Sequence, residues 1–218
     1  MWRRASQQRS RTVKRSYHHG DLRAALIEAS FEILAEAGLA GFSVAKVAKL
    51  VGVSSGAPYR HFGDRDALLN AVAEQASLEA VERIGTAVEA AGADPILRLS
   101  ACAGAYVGYV ITRGPAIDAI FAADLQRERE GRLNTASQAA LGMLRGLVSA
   151  AGGADSDTQF EQYLAMVNGY VALYEAGFFH ATHYNAENIA AHAAHAVATL
   201  AAGWRSMPGL SPNPTASS

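Results

Sequence analysis

The stretch that most constrains the fold runs from Ser43 to Phe62 and reads SVAKVAKLVGVSSGAPYRHF. Apolar residues recur at helical spacing in its first half, which predicts a short amphipathic helix capped by the Ser43 side chain. Gly52 then suits the sharp turn that follows, because glycine readily adopts a positive φ. Ser54 is predicted to cap a second helix that ends near His61. Two short helices joined by a glycine turn form a helix-turn-helix, whose second helix can enter a DNA major groove.

Several runs in and around this stretch resemble the DNA-binding domain of the tetracycline-repressor (TetR) family. They are Gly52-Val53-Ser54, Gly56-Ala57-Pro58-Tyr59-Arg60-His61-Phe62, Asp64-Arg65-Asp66-Ala67-Leu68-Leu69 and Tyr17-His18-His19-Gly20-Asp21-Leu22. The resemblance covers roughly Tyr17 to Ala73, about a quarter of the chain. It departs from the family at Pro58, where an aliphatic residue is more common. Proline forfeits one early hydrogen bond there, although its fixed φ suits a first helical turn.

Helical periodicity continues along the rest of the chain, and no stretch favours a strand. Helices are predicted over 21–37, 64–91, 94–113, 116–123, 131–150, 157–179 and 185–204. The predicted fold class is therefore all-α, with an N-terminal three-helix helix-turn-helix domain joined by a long helix to a C-terminal helical domain. The expected divisions are a disordered basic arm (1–16), the DNA-binding domain (17–66), a ligand-binding and dimerisation domain (67–205) and a disordered tail (206–218).

Charge is distributed unevenly, although the net charge is only −1. Residues 1–70 carry 11 Lys and Arg against 6 Asp and Glu, whereas the remainder is acidic. This asymmetry suits a protein that touches DNA with one end only. Cys102 is the single cysteine, so no intrachain disulfide can form, which agrees with a reducing cytoplasm. The N-terminus lacks a secretory signal and the apolar run from Leu99 to Thr112 is too short for a bilayer, so no membrane is expected as a partner.

Small and polar residues at the start of the second helix are predicted to lie close to the bases, and Arg60 is the best candidate for a bidentate guanine contact. The family resemblance implies phosphate contacts for Tyr59 and His61. The basic arm can follow the phosphates or enter a minor groove. The candidate DNA-binding residues are Arg15, Tyr17, Ser43, Lys46, Ser54, Ser55, Gly56, Ala57, Tyr59, Arg60, His61 and Arg65.

Aromatic and amphipathic side chains concentrate on two helices of the C-terminal part. Tyrosines with buried rings and polar tips suit a cavity for an amphipathic ligand, although ordinary core packing accounts for any one of them. The candidate pocket residues are Cys102, Tyr106, Tyr109, Arg113, Phe121, Tyr163, Met166, Tyr170, Tyr174 and Phe178. Between them, Gly104-x-x-x-Gly108 is expected to bring α-helices into close contact. No cofactor is expected.

These patterns predict a homodimeric DNA-binding transcriptional regulator, a repressor released from its operator by a small amphipathic or aromatic effector. The resemblance implies that the last two helices form a four-helix bundle with a second subunit. The alternative is a regulator that senses metal or redox state through Cys102 or the C-terminal histidines His180, His183, His192 and His195. A serine hydrolase is disfavoured, because G-x-S-x-G at 52–56 follows a helix where that chemistry needs a strand. No enzymatic activity and no metal site are therefore predicted.

Overall fold

A computed structural model describes residues 22–114, 117, 135–152, 156–179 and 185–206. Within these ranges every regular element is helical, which confirms the predicted all-α class. The arm at 1–16, Tyr17, nearly all of the helix expected at 116–123 and the tail beyond Ser206 lie outside the described residues. The helices are α1 (Leu22–Gly41), α2 (Val44–Val51), a 3-10 helix (Pro58–Arg60), α3 (Arg65–Ala90), α4 (Pro95–Arg113), α5 (Thr135–Gly152), α6 (Ser156–Glu175) and α7 (Ala186–Ser206).

Two glycines punctuate the N-terminal part as the sequence predicts. Gly38 has φ 64° and interrupts the regular helix before α1 reaches its last residues. Gly52 has φ 81° and ends α2, where the Val53 N–H donates to the Ala48 carbonyl at 3.0 Å and the Gly52 N–H donates to the Lys49 carbonyl at 3.2 Å. Such 6→1 and 5→2 bonds satisfy carbonyls that the last turn of a helix leaves without partners. The tight turn between the two short helices is therefore built as expected.

The long helix α3 leads without interruption from the helix-turn-helix into the rest of the chain. Asp64 caps its start, because the Oδ1 atom accepts the Ala67 N–H at 2.7 Å. Leu68, Val72 and Ala76 are fully buried along one side of α3. One packed helix therefore joins the DNA-binding part to the C-terminal part, so that a shift at one end can reach the other.

Helix α4 lies at the centre of the C-terminal part and contacts α3, α5, α6 and α7. Its Asp94 cap accepts the Ile96 N–H at 2.8 Å. At 19 residues it is long and apolar enough to cross a bilayer, although the run from Leu99 to Thr112 was predicted to be too short. Its side chains at Leu99, Ala103 and Val107 are fully buried in the core. We therefore interpret α4 as the core helix of a helical bundle. Such a helix can be as long and as apolar as a membrane-spanning one.

Close contact between α4 and α7 depends on Gly104, as the G-x-x-x-G spacing predicted. A Cβ atom at this position would lie 3.2 Å from both the Ala190 carbonyl oxygen and the Ala194 Cβ atom. The Ser100 hydroxyl adds a hydrogen bond across the same contact, donating to the Ala194 carbonyl at 2.8 Å. The small residues of both helices therefore allow their backbones to approach closely.

Several helix ends differ from the prediction. The second helix does not begin at Ser54, since only the 3-10 helix Pro58–Arg60 forms there. Ser43 occupies the cap position of α2 without a side-chain hydrogen bond to the helix. Helix α5 runs through Gly152, two residues beyond the end predicted at 150. Helix α6 ends at Glu175 rather than at 179, because the chain turns at Gly177 with φ 75°.

Candidate nucleic-acid interface and effector site

The recognition segment, defined as residues 53–61, is a series of tight turns rather than a regular α-helix. The Ala57 N–H donates to the Ser54 carbonyl at 3.0 Å, and the His61 N–H donates to the Pro58 carbonyl at 2.9 Å. Pro58 is buried and begins the 3-10 helix, so it supplies the apolar anchor that an aliphatic residue would otherwise supply. Proline has no N–H to donate, which is one reason why helical bonding does not extend back to Ser54.

The structure places the predicted base and phosphate contacts together on the outside of this segment. Tyr59 is 53% exposed, which for a tyrosine beside a buried proline leaves its hydroxyl free to reach a partner. Ala57 and Ser43 are partly buried. The remaining predicted contacts of the segment are exposed, namely Ser54, Ser55, Gly56, Arg60 and His61. Arg15 and Tyr17 lie outside the described residues.

Lys46 and Arg65 also lie on the surface, but they have partners within the chain. The Lys46 ammonium group donates to the Gly41 carbonyl at 3.3 Å. Arg65 donates to the Leu39 carbonyl at 3.0 Å and lies over the Phe42 ring at 5.6 Å. Arg65 was predicted only as a DNA contact, but its side chain also connects the start of α3 to the end of α1 and the loop that follows it.

Two of the predicted pocket residues fill the protein interior together. The Cys102 Sγ atom lies 3.3 Å from the Tyr163 hydroxyl, and both residues are 1% exposed. Burial raises the pKa of the Cys102 thiol to about 11, although the Tyr163 hydroxyl partly opposes this rise. Nearby, the Tyr106 hydroxyl donates to the Asn168 side chain at 3.3 Å. This face of α4 therefore packs tightly against α6.

Tyr109 and Arg113, which were also predicted to line the pocket, instead contact Glu79 on α3. The Tyr109 hydroxyl donates to Glu79 Oε2 at 3.1 Å, and Arg113 binds both carboxylate oxygens at 2.5–2.9 Å. Burial raises the pKa of Glu79, but hydrogen bonds from Arg113, Gln75 and Tyr109 outweigh it, so the pKa lies below its ordinary value. Burial and the Glu79 charge both raise the pKa of Tyr109. This polar cluster was not foreseen.

The other predicted pocket residues occupy different environments. Met166, Tyr170 and Tyr174 are half-buried on α6 and pack against the core. The Tyr170 and Phe179 rings are parallel, with centroids 6.3 Å apart. Phe178 was expected to line a pocket, yet it is 62% exposed, because the turn at Gly177 directs the chain outward. Phe121 lies outside the described residues.

A groove of about 450 Å³ lies between α4 and the first turns of α7, with Arg83 of α3 at its edge. Its floor consists of small residues, and Tyr109 is the one member of the predicted pocket that contributes to it. The guanidinium of Arg83 lies 5.4 Å from the centre of the Tyr109 ring. The lining residues are Arg83, Gly104, Ala105, Gly108, Tyr109, Thr112, Ala186, Glu187 and Ala190. The G-x-x-x-G pattern was the available sequence signal for this groove.

Two of the four histidines considered for metal binding are among the described residues. His192 and His195 are exposed on α7, whereas His180 and His183 lie outside the described residues. Over the described ranges, no group of three or more His, Cys, Asp or Glu side chains is placed to hold a metal ion.

Residues 26–72, which include most of α1, all of α2 and the recognition segment, match the family model "Bacterial regulatory proteins, tetR family". The chain is also 43% identical over 70 residues to the HTH-type transcriptional regulator BetI of Stenotrophomonas maltophilia. The N-terminal part of this chain is a TetR-family DNA-binding domain. The BetI match spans 32% of this chain and 36% of that relative, so the chain covers about a third of the relative's length.

Solved structures resemble the chain over most of its length. A Rhodococcus protein of unknown function is 26% identical with a TM-score of 0.65, covering 89% of this chain and 99% of its own. The transcriptional regulator FadR of Bacillus subtilis, solved in complex with stearoyl-CoA, has a TM-score of 0.62 at 17% identity. The latter match covers 81% of this chain and 97% of FadR, and it shows a shared fold alone.

Proposed function

We propose that this chain is a homodimeric repressor that binds operator DNA through the recognition segment and is released by a small amphipathic effector. The observation that carries the proposal is the exposed set Ser54, Ser55, Gly56, Tyr59, Arg60 and His61, held on turns anchored by buried Pro58. Short side chains let a segment approach base edges, while arginine can bind guanine with two hydrogen bonds. Such a repressor acts in the cytoplasm and needs neither a cofactor nor catalysis.

A dimer is proposed because one short segment reads too few base pairs to find a site alone. Apolar surface at the end of α6 supports this proposal, since Leu173 is 42% and Phe178 is 62% exposed. We expect these residues to be covered when α6 and α7 pack against a second subunit. Leu173→Glu should therefore shift the protein toward a monomer in sedimentation experiments. Leu97→Glu replaces a similarly exposed leucine, at 55%, on another helix and should not.

The proposed effector is amphipathic, and the groove beside Tyr109 is its proposed site. The groove combines a floor of small residues with the charged side chains of Arg83 and Glu187 at its edges. FadR, which shares the fold, was solved with stearoyl-CoA, a molecule of the amphipathic class. The alternative effector site is formed by the half-buried residues Tyr106, Tyr170 and Tyr174.

The test of DNA binding starts from a pool of duplexes with a randomised centre. The full chain should enrich a roughly palindromic sequence with half-sites about one helical turn, or a multiple of it, apart. Enrichment of no sequence, or a stable monomer at micromolar concentration, would contradict the proposal.

The test of release uses a panel of acyl-CoAs, fatty acids and aromatic acids, screened by thermal shift. Compounds that bind should weaken the complex with the enriched duplex, and the duplex should weaken their binding by the same factor. Gly108→Phe fills the groove and should abolish the response, whereas Gly146→Phe adds the same ring on α5, where a side chain meets open space. A response that survives Gly108→Phe but not Tyr106→Ala would move the site to the tyrosines.

A further inference from the structure

One face of α1 is contacted by the end of α4. Glu28, Phe31 and Ala35 recur at spacings of three and four residues, so they lie along one side of the helix. Arg113 reaches the first two: its Nη1 atom lies 3.5 Å from Glu28 Oε2, and its guanidinium lies 4.4 Å from the centre of the Phe31 ring. Gly114 lies against the third, since a Cβ atom on it would come within 3.0 Å of the Ala35 Cβ atom. Two consecutive residues of the C-terminal part therefore touch a whole stripe of the DNA-binding part.

Arg113 is held in place from the other side by α3. Its bidentate pair with Glu79 is more buried than its contact with Glu28, because the Glu79 side chain is 17% exposed and that of Glu28 is 46% exposed. A guanidinium fixed by two hydrogen bonds to one carboxylate has a defined orientation. The Arg113 guanidinium therefore has a fixed orientation toward α1, with Nη1 near Glu28 and its plane over the Phe31 ring.

Resting on the function proposed above, we propose that the contact of Arg113 and Gly114 with α1 sets the orientation of the DNA-binding domain relative to the C-terminal helices. We call this contact the α1–α4 junction. It is small, so opening it frees the DNA-binding domain to rotate without unfolding either part. A DNA-binding domain that is free to rotate loses this freedom when it binds DNA. The entropy lost in this step weakens the affinity for DNA.

The proposed effector groove is connected to the α1–α4 junction by shared side chains. Tyr109 lines the groove and donates to the same Glu79 carboxylate that holds Arg113. A molecule that displaces the Tyr109 ring removes this hydrogen bond and leaves Glu79 free to move with Arg113. The junction therefore gives the effector a physical route to α1 and explains regulation without a contact between effector and DNA.

Two variants test the α1–α4 junction, and each has a control. The controls account for the change in charge and for the replacement of a glycine with positive φ. Glu28→Gln removes the ion pair to Arg113 and leaves the Arg113–Glu79 pair intact, while Glu32→Gln makes the same charge change at an exposed site on α1. Gly114→Ala inserts a methyl group against Ala35. Its control is Gly92→Ala, because Gly92 also has a positive φ but nothing within 4 Å of an added Cβ atom.

Orientation is read by electron paramagnetic resonance from spin labels at Ala45→Cys on α2 and Ser149→Cys on α5, both exposed sites. The labelled chain is diluted with excess unlabelled chain so that distances within one subunit are measured. In parallel, unlabelled variants are titrated with the duplex that the wild-type chain enriches from a randomised pool.

Glu28→Gln and Gly114→Ala should broaden or shift the distance distribution and weaken duplex binding by about two- to fivefold, as expected for loss of a half-exposed ion pair. Glu32→Gln and Gly92→Ala should leave both readouts at wild-type values. Distances that match the controls, or altered distances with unchanged affinity, would overturn the proposal. If the wild-type chain enriches no duplex, the proposed function fails, whereas altered distances would still support the junction as the orienting contact.

Discussion

The Cys102 thiol and the Tyr163 hydroxyl lie 3.3 Å apart in the interior, where α4 meets α6. Each residue is 1% exposed, so their side chains occupy space that the sequence pattern had assigned to a ligand pocket. The contact also bears on the redox alternative. A thiol that reacts readily is accessible and has a lowered pKa, and Cys102 has neither property.

Cys102 is expected to react slowly with a thiol reagent in the native protein. Burial raises the pKa of its thiol to about 11, so little thiolate is present at neutral pH. The reaction rate with a disulfide reagent should rise steeply when a denaturant unfolds the chain. Ser55→Cys, at an exposed position, provides the matched reference for an accessible thiol. A native Cys102 that reacts as fast as that reference would revive the redox alternative.

Glycine at 104 should be required for the contact between α4 and α7. Gly104→Leu places its side chain against the Ala190 carbonyl and should destabilise the protein by about 1–3 kcal/mol through overpacking. Gly142→Leu makes the same change within α5, where an added Cβ atom meets open space. That control should be neutral or stabilise by up to about 0.8 kcal/mol through helix propensity. Denaturant unfolding measures both, and equal effects would contradict close packing at Gly104.

Acid should weaken the fold in part through Glu79. Its pKa in the folded protein lies below the ordinary value of 4.5, so its stabilising contribution is present above pH 4.5 and is lost as pH falls through the folded-state pKa. Glu79→Gln should lower the free energy of unfolding at neutral pH by about 1–3 kcal/mol, because Arg113 loses a charged hydrogen-bond partner. Its stability should also depend less on pH below 4.5 than that of the wild type.

Denaturant titrations at a series of pH values measure this dependence. Glu74→Gln serves as the control, since it removes an exposed carboxylate from the same helix. If Glu79→Gln and Glu74→Gln follow the same curve, the hydrogen-bonded cluster does not stabilise the fold.

Local signals allowed the sequence to predict much of the fold. The caps at Asp64 and Asp94 and the breaks at Gly38 and Gly52 depend on side chains and φ angles within a few residues, so a linear pattern contains them. The same reasoning failed in the recognition segment. Pro58 has no N–H with which to continue helical bonding, and the chain forms turns and a short 3-10 helix there instead of one α-helix.

The pairing of side chains between helices was harder to predict. Spacing placed Cys102, Tyr106, Tyr109 and Arg113 on one side of α4, but that side borders two neighbours. The first two residues face α6 and the last two face Glu79 of α3. Glu79 itself looks in sequence like any solvated carboxylate on an amphipathic helix. Only the packing of α3 against α4 gives it three hydrogen-bond donors.

The recognition segment should contain both phosphate-binding and base-reading residues. Tyr59→Phe and His61→Ala are expected to weaken binding similarly for all sequences, because phosphate contacts contain little sequence information. Arg60→Ala should in addition relax the preference at one base pair, by about 1–3 kcal/mol if the guanine contact is bidentate. Repeating the selection from randomised duplexes with each variant measures these preferences. An unchanged preferred site with Arg60→Ala would limit Arg60 to phosphate contact.

Sequence-specific DNA binding is tested most directly by the fluorescence anisotropy of a labelled duplex that carries the enriched site, titrated with the full chain at fixed salt. A scrambled duplex of equal length provides the reference, and Arg60→Ala provides the protein control. We expect the chain to bind the enriched site at least about a thousandfold more tightly than the scrambled one. Arg60→Ala should lower this ratio of affinities. Equal affinity for the two duplexes would contradict the assignment of this chain as a sequence-specific DNA-binding regulator.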